Sequence, residues 1–121
     1  MRILLVDDSS TMRRIQKNTL EKLGYTDITE AGDGAEAVAK VAAGGFDLVL
    51  MDWNMPNMTG IEALKKIKGD AAMKAVPVIM VTSESEKTKI IEAIQAGAAN
   101  YIVKPFQSEV LQEKITAVLN K

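Results

Sequence analysis

Five side chains suited to phosphoryl or metal chemistry stand at matching places, each where a short apolar run gives out. Asp7 and Asp8 follow "ILLV", Asp52 follows "FDLVLM", Thr82 ends "VPVIMVT" and Lys104 ends "NYIVK". Three carboxylates brought together repel one another and raise each other's pKa unless a cation stands among them. A hard divalent ion such as Mg²⁺ relieves this, because it takes oxygen ligands octahedrally and keeps several waters. The backbone carbonyl of Asn54, just past Asp52, offers a further oxygen. Lys104 adds a compact second positive charge. Metal and Lys together describe a place for a doubly charged phosphoryl group. The nucleophile is then a carboxylate, and aspartyl phosphates are known chemistry. Asp52, at the head of the turn "DWNMPNMTG", is the candidate acceptor. Asp7 and Asp8 serve the metal, and Thr82 hydrogen-bonds a phosphoryl oxygen.

Taken singly, each residue has a plainer explanation. Asp after a strand caps turns and helices, a Thr there is a cap or strand filler, and a Lys is a solvated charge. The joint pattern carries the argument, since four different runs deliver compatible chemistry. Pro56 and Gly60 are turn residues on any account, and Met12, Met51 and Met80 read as core.

The composition narrows the chemistry further. The chain has 121 residues, of which 47% are hydrophobic and 26% charged, the mixture of one globular domain. A net charge of -1 gives no basic surplus for nucleic acid or an anionic membrane. With no Cys and no His, thiolate nucleophiles, imidazole bases and the usual zinc ligands are all excluded. The start "MRILLVDD" turns acidic too soon for a signal peptide, and the apolar runs are too short to span a bilayer. A cytoplasmic location and no membrane insertion are therefore expected.

The elements that must position these residues alternate regularly. "ILLV" reads as a doubly buried strand. A helix follows, capped by Ser9 or Ser10, with Met12, Ile15, Thr19, Leu20 and Leu23 on its face and Gly24 at its end. "TDITEA" is a second strand. "DGAEAVAKVAAGG" is a helix capped by Asp33, with Glu36 placed for a capping box. "FDLVLM" is a third strand, followed by a helix with Ile61, Leu64 and Ile67 inward. "VPVIMVT" is a fourth strand. A helix from Glu86 to Ala96 follows, with Ile90, Ile91 and Ile94 inward. "NYIVK" is a fifth strand, and a last helix spans Ser108 to Leu119 with Leu111, Ile115 and Val118 inward. Strand and helix five times over predicts an α/β fold with a parallel sheet covered on both faces by right-handed crossovers. Its crevice lies at the carboxyl ends of the strands, where the five residues fall. No exposed apolar stripe demands a dimer, so a monomer is expected.

The hallmarks "VDD" (Val6 to Asp8), "MD" (Met51, Asp52), "VT" (Val81, Thr82) and "KPF" (Lys104 to Phe106), in this order and spacing, resemble the receiver domains of two-component signalling. "STMRRI", "DWNMPNM" and "QAGAANYIVKPF" narrow the resemblance to response regulators of the CheY chemotaxis type. It covers essentially the whole chain. It implies a single receiver domain over residues 1–121 without an output domain, built as a doubly wound (βα)5 sheet of flavodoxin-like order 2-1-3-4-5. It also implies phosphorylation of Asp52, with Mg²⁺ (or Mn²⁺ in its place) bound by Asp7, Asp8, Asp52 and the Asn54 carbonyl. Thr82 and Lys104 contact the phosphoryl group, Tyr101 is an aromatic switch, and the Lys104–Pro105 peptide is cis.

By the same resemblance, a chemotaxis histidine kinase donates the phosphoryl group. The flagellar motor switch binds a face that includes Glu86, Tyr101, Val103 and Lys114, and a phosphatase is a further partner. At Glu86 this chain reverses the charge of the Lys found in enteric relatives. Asn54 and Asn57 stand where receivers tune loss of the phosphate, with only Asn54 well placed to matter, and Glu84 shares that role. Such a protein is a phosphoacceptor with self-dephosphorylation, not an enzyme with turnover. A stand-alone receiver in another phosphorelay shares the same acid residues. An Mg²⁺-dependent phosphatase of the aspartyl-phosphate class normally wants a second Asp two residues beyond the first, where this chain has Asn54.

Overall fold

A computed structural model describes residues 1–82, 87–104 and 106–119. Glu84, Glu86 and the Lys104–Pro105 bond lie outside the described residues. Five strands form one parallel sheet: β1 (Arg2–Val6), β2 (Asp27–Ala31), β3 (Leu48–Asp52), β4 (Val78–Thr82) and β5 (Asn100–Val103), in the order β2-β1-β3-β4-β5. The helices between and after them are α1 (Ser10–Lys22), α2 (Gly34–Ala43), α3 (Gly60–Lys68), α4 (Lys87–Gln95) and α5 (Ser108–Leu119). The parallel sheet expected from the alternation, and the doubly wound order 2-1-3-4-5 implied by the resemblance, are the ones observed.

Side chains alternate across a strand with period two, and each central strand divides its apolar residues between two cores. Leu4, Val6, Val49, Met51, Val78 and Met80 pack with Ala37 and Val41 of α2, Ala63, Leu64 and Ile67 of α3, and Ala93 of α4. Ile3, Leu5, Leu48, Leu50, Ile79 and Val81 pack on the opposite face with Leu20 of α1 and Leu111, Ile115 and Val118 of α5. This two-sided burial explains why β1, β3 and β4 read as unbroken apolar runs rather than alternating ones.

The register sets the functional edge. Val6 lies opposite Met51, Asp52 opposite Val81, and Thr82 opposite Val103. Asp7, Asp52, Thr82 and Lys104 therefore leave the sheet side by side. The edge lies outside the carboxyl ends of β1 and β3, where the chain reverses its winding, the place where open α/β sheets bind their ligands.

Two helix faces differ from the expectation. In α1 the buried residues are Gln16 and Leu20, while Ile15 is 52% exposed. The inward stripe is Met12, Gln16, Leu20 and Leu23, and Ile15 sits one residue, about 100°, off it. In α4, Ile91 and Ile94 are exposed and Ile90 is half-buried, while Ala93 is buried. The small Ala93 makes the inward contact, which turns the bulkier Ile91 and Ile94 toward solvent.

The caps also sort differently. Ser9, not Ser10, caps α1, its Oγ accepting from the Met12 N–H. Asp33 caps α2, but the Glu36 carboxylate accepts from Gly32 N–H at 2.7 Å instead of closing a box on Asp33. The complete capping box is at α3, where Thr59 and Glu62 accept each other's backbone N–H. Among the described residues no helix is long and apolar enough to cross a membrane.

Candidate phosphoacceptor and metal site

Asp7, Asp8 and Asp52 each offer a carboxylate oxygen, and these oxygens lie within 4.8 Å of one another. Asp7 is 1% exposed and Asp52 5%, whereas Asp8 is open to solvent. The cluster is thus a recess walled by two buried carboxylates and rimmed by a third. Lys104 reaches it from the far side of the edge. Its Nζ lies 2.9 Å from Asp52 Oδ1 and 3.6 Å from Asp7 Oδ2. Three carboxylates against one ammonium leave a deficit of two positive charges. All the donors are oxygens, the set preferred by a hard divalent cation such as Mg²⁺ or Mn²⁺. The residues present fit that group.

Burial pushes the Asp52 carboxyl above its ordinary pKa; the hydrogen bond from Lys104 pulls it back, and the Asp7 charge pushes it up again. For Lys104 burial works against the charge, but the hydrogen bond and charge of Asp52, with those of Asp7, outweigh it and raise the ammonium above its ordinary value. The ammonium is held in place, while the carboxylates remain short of counter-charge.

Local structure fixes each group. Asp7 Oδ1 accepts from Ser9 N–H at 2.9 Å, so the same carboxylate that faces the recess shapes the turn into α1. Arg13 donates to the Asp7 carbonyl and pairs with Glu30 at 2.9 Å, tying α1 to the ends of β1 and β2. Lys104 N–H donates to Thr82 O at 2.7 Å, which extends the β4–β5 pairing to the site itself.

The loop after Asp52 folds back on its own strand, where Gly60 N–H donates to Trp53 O at 2.8 Å. A Cβ at Gly60 would collide with the Asp52 carbonyl oxygen, so only glycine permits this close approach. Asn57, at φ 67°, donates from Nδ2 to Asp33 Oδ2 at 2.9 Å and pins the loop to the start of α2. Its side chain is therefore committed to α2 and does not line the acid cluster, whereas Asn54 stays exposed two residues from Asp52.

Thr82 is 2% exposed at the end of β4. Met80 lies opposite Tyr101 and Thr82 opposite Val103, so Thr82 and Tyr101 stand on the same face of the sheet, toward α4. Tyr101 is half-buried, and Lys114 Nζ stands 4.7 Å from its ring centroid. Val103 is half-buried beside them. Trp53, next to Asp52, is 6% exposed, with Lys89 Nζ 5.5 Å from its ring.

The expected residues Asp7, Asp8, Asp52 and Lys104 thus meet in one place, with Thr82 on the same edge. Gln16 was missed. Its Nε2 donates to Asp7 Oδ2 at 3.4 Å from inside the α1 core. The signal was available in the i, i+4 stripe of Met12, Gln16 and Leu20, once a polar residue is allowed a place on an inward face.

The chain is similar over nearly its whole length to known proteins. The response regulator receiver domain family matches residues 3–116. The chemotaxis protein CheY of Pseudomonas aeruginosa is 50% identical over 121 residues, covering 100% of this chain and 98% of the relative. The chemotaxis protein CheY1 of Helicobacter pylori is 52% identical over 120 residues, covering 98% of this chain and 97% of the relative. Among solved structures, the chemotaxis protein CheY4 of Vibrio cholerae superposes with a TM-score of 0.88 at 38% identity, covering 97% of each chain. The receiver domain of a signal transduction histidine kinase from Syntrophus aciditrophicus gives 0.87 at 31% identity, covering 98% of this chain and 89% of that one. For this chain the likeness supports receiver-type phospho-aspartate signalling, with self-phosphorylation and self-dephosphorylation, beside an acidic cluster able to hold a divalent metal. On its sequence, its sheet order and its acid cluster alike, this chain belongs to the response regulator receiver domains of two-component signalling, of the CheY-like type.

Proposed function

We propose that Asp52 is the phosphoacceptor of a chemotaxis response regulator, with Asp7, Asp8, Asp52 and the backbone carbonyl of Asn54 holding Mg²⁺. The observation that carries this reading is the Lys104 contact. Of the clustered carboxylates, Asp52 is the one that Lys104 approaches most closely, at 2.9 Å, and it heads the β3 loop. The bound cation supplies charge neutralisation for the transferring phosphoryl oxygens. An Asp52 carboxylate oxygen attacks phosphorus in line, the bond from phosphorus to the donor breaks (P–N in a phosphohistidine, P–O in acetyl phosphate), and the donor atom departs with its electron pair. Lys104 moves its charge from the free carboxylate to the phosphoryl group. Water later attacks the same phosphorus, releasing inorganic phosphate and returning Asp52 to a carboxylate.

Thr82 donates its hydroxyl to a phosphoryl oxygen, and Tyr101 turns into the space that this movement opens. Both stand on one face of the sheet, which supports such coupling. The change is a shift between states the chain already samples.

A chemotaxis histidine kinase is the donor in this reading, and the flagellar motor switch is the output partner, received on the surface of α4, β5 and α5. In support, Tyr101, Val103, Phe106, Val110 and Lys114 line a recess of about 320 Å³ there. The named relatives are chemotaxis proteins. Service in a different phosphorelay would use the same acid cluster and differ only in what this face binds.

The test is incubation with Mg²⁺ and acetyl phosphate, followed by intact mass, with Asp52→Asn as control. One phosphoryl adduct, absent from the control and without Mg²⁺, is expected. An adduct retained in Asp52→Asn would move the acceptor elsewhere. Absence of any response to beryllofluoride, a mimic of the bound phosphoryl group, would sink the mechanism. Pull-down by the phosphorylated protein of a motor switch component, as against a histidine-bearing transfer domain, decides the output.

A further inference from the structure

Gln16 is 3% exposed in the stripe by which α1 packs on the sheet. An apolar residue could fill that position without hydrogen bonds, whereas a buried carboxamide must find partners. Its Nε2 donates to Asp7 Oδ2 at 3.4 Å, and an ionised carboxylate only accepts, so the amide nitrogen faces it. The same oxygen faces Lys104 Nζ at 3.6 Å, and Asp7 Oδ1 is taken by Ser9 N–H at 2.9 Å. Asp7 is therefore gripped at both oxygens, and Gln16 is the neutral part of that grip on the Oδ2 side. Gln16 and Lys104 also line a shared cavity of about 80 Å³ with Met12, Ile15, Thr19 and Phe106.

We infer that Gln16 is a positioning residue for Asp7: its amide fixes the plane of that carboxylate and so sets the affinity of the acid cluster for a divalent cation. The inference rests on the reading of Asp7 as a metal-side carboxylate. A donor behind a metal-ligating carboxylate orients it without adding a full charge to compete with the ion. Lys104 cannot do this alone, because its ammonium is drawn more closely to Asp52.

The test compares wild type with Gln16→Met, which keeps the length and loses the donor, and Gln16→Val, which also loses length. Mg²⁺ alone is titrated, read by Trp53 fluorescence and backbone amide NMR. We expect the dissociation constant for Mg²⁺ to rise about tenfold in both variants, the low end for loss of such a partner. At saturating Mg²⁺ the rate of labelling by acetyl phosphate stays within about threefold of wild type, since the effect lies in binding rather than in the chemical step. A merely structural role would instead lower the melting temperature and leave the Mg²⁺ affinity of the folded protein alone. Either folded variant binding Mg²⁺ as wild type does overturns the inference. If neither variant folds, the wild-type Gln16 side-chain amide resonances decide: they shift with the Mg²⁺ titration if the inference holds, and their silence overturns it. Failure of wild type to bind Mg²⁺ would overturn the metal reading itself, a separate outcome.

Discussion

The ammonium of Lys104 lies 2.9 Å from Asp52 Oδ1, across 52 residues of sequence, and is shared with Asp7 Oδ2 at 3.6 Å. One cation thus stands between two carboxylates that burial has deprived of water. Its loss leaves them unpaired in a site where an uncompensated charge is costly.

Lys104→Met is therefore expected to lower the melting temperature of the metal-free protein at neutral pH. Because the cluster then has no internal cation, added Mg²⁺ recovers more melting temperature than it does in wild type. Thermal scans with and without Mg²⁺ check this, and an equal Mg²⁺ increment in both proteins would contradict it.

Gly60 lies against the end of β3, where an added methyl meets the Asp52 carbonyl and the Trp53 Cα. Both are backbone atoms, so the strain has no flexible side chain to absorb it. Gly60→Ala is expected to cost about 2 kcal/mol of stability, in the range for overpacking. Urea unfolding measures it, and Trp53, one residue beyond Asp52, should report a shifted native fluorescence.

Two caps give a pH dependence with a definite sign. Asp33 is held below its ordinary value of 3.8, first by the Glu36 backbone N–H and then by Asn57. Glu62 lies below 4.5, through the backbone and hydroxyl of Thr59. A carboxyl depressed on folding contributes stability that is present above its unfolded pKa and lost as pH falls through its folded one. Melting temperature should therefore fall more steeply for wild type than for the double variant Asp33→Asn, Glu62→Gln between about pH 5 and about pH 3. Parallel curves would show that the caps are not sensed.

Ile91 and Ile94 face solvent, at 50% and 48% exposure, although they belong to an apolar helix sequence. Ile91→Ser and Ile94→Ser are each expected to change stability by no more than about 0.5 kcal/mol. Leu64→Ala, at a fully buried site of α3, should cost roughly 2–5 kcal/mol. Denaturant midpoints compare the three directly. If the proposed partner face reaches α4, the two Ile variants would lose partner binding without losing stability.

The fold was legible because its signals are local. Unbroken apolar runs such as Ile3 to Val6 mark strands buried on both faces, and Gly24 marks a helix end. Most element boundaries moved by only a residue or two; β4 begins at Val78 because the preceding Pro77 has no N–H to give the ladder. The acid cluster was legible for a different reason. In a parallel sheet every strand ends at the same edge, so residues placed after successive strands must become neighbours whatever lies between them.

By itself, then, the sequence determined which chemistry gathers at the edge: three carboxylates, one hydroxyl and one ammonium, with neither thiol nor imidazole. Tertiary structure decided what hydropathy cannot resolve. Adjacent helix positions differ by about 100° in direction, so packing against the sheet, not apolar character, chose Gln16 over Ile15 and Ala93 over Ile91 and Ile94. It also decided the long-range pairings of Lys104 with Asp52, of Asn57 with Asp33 and of Gln16 with Asp7. Each joins side chains whose types reveal what they can bond, while only the folded backbone brings a particular donor to a particular oxygen.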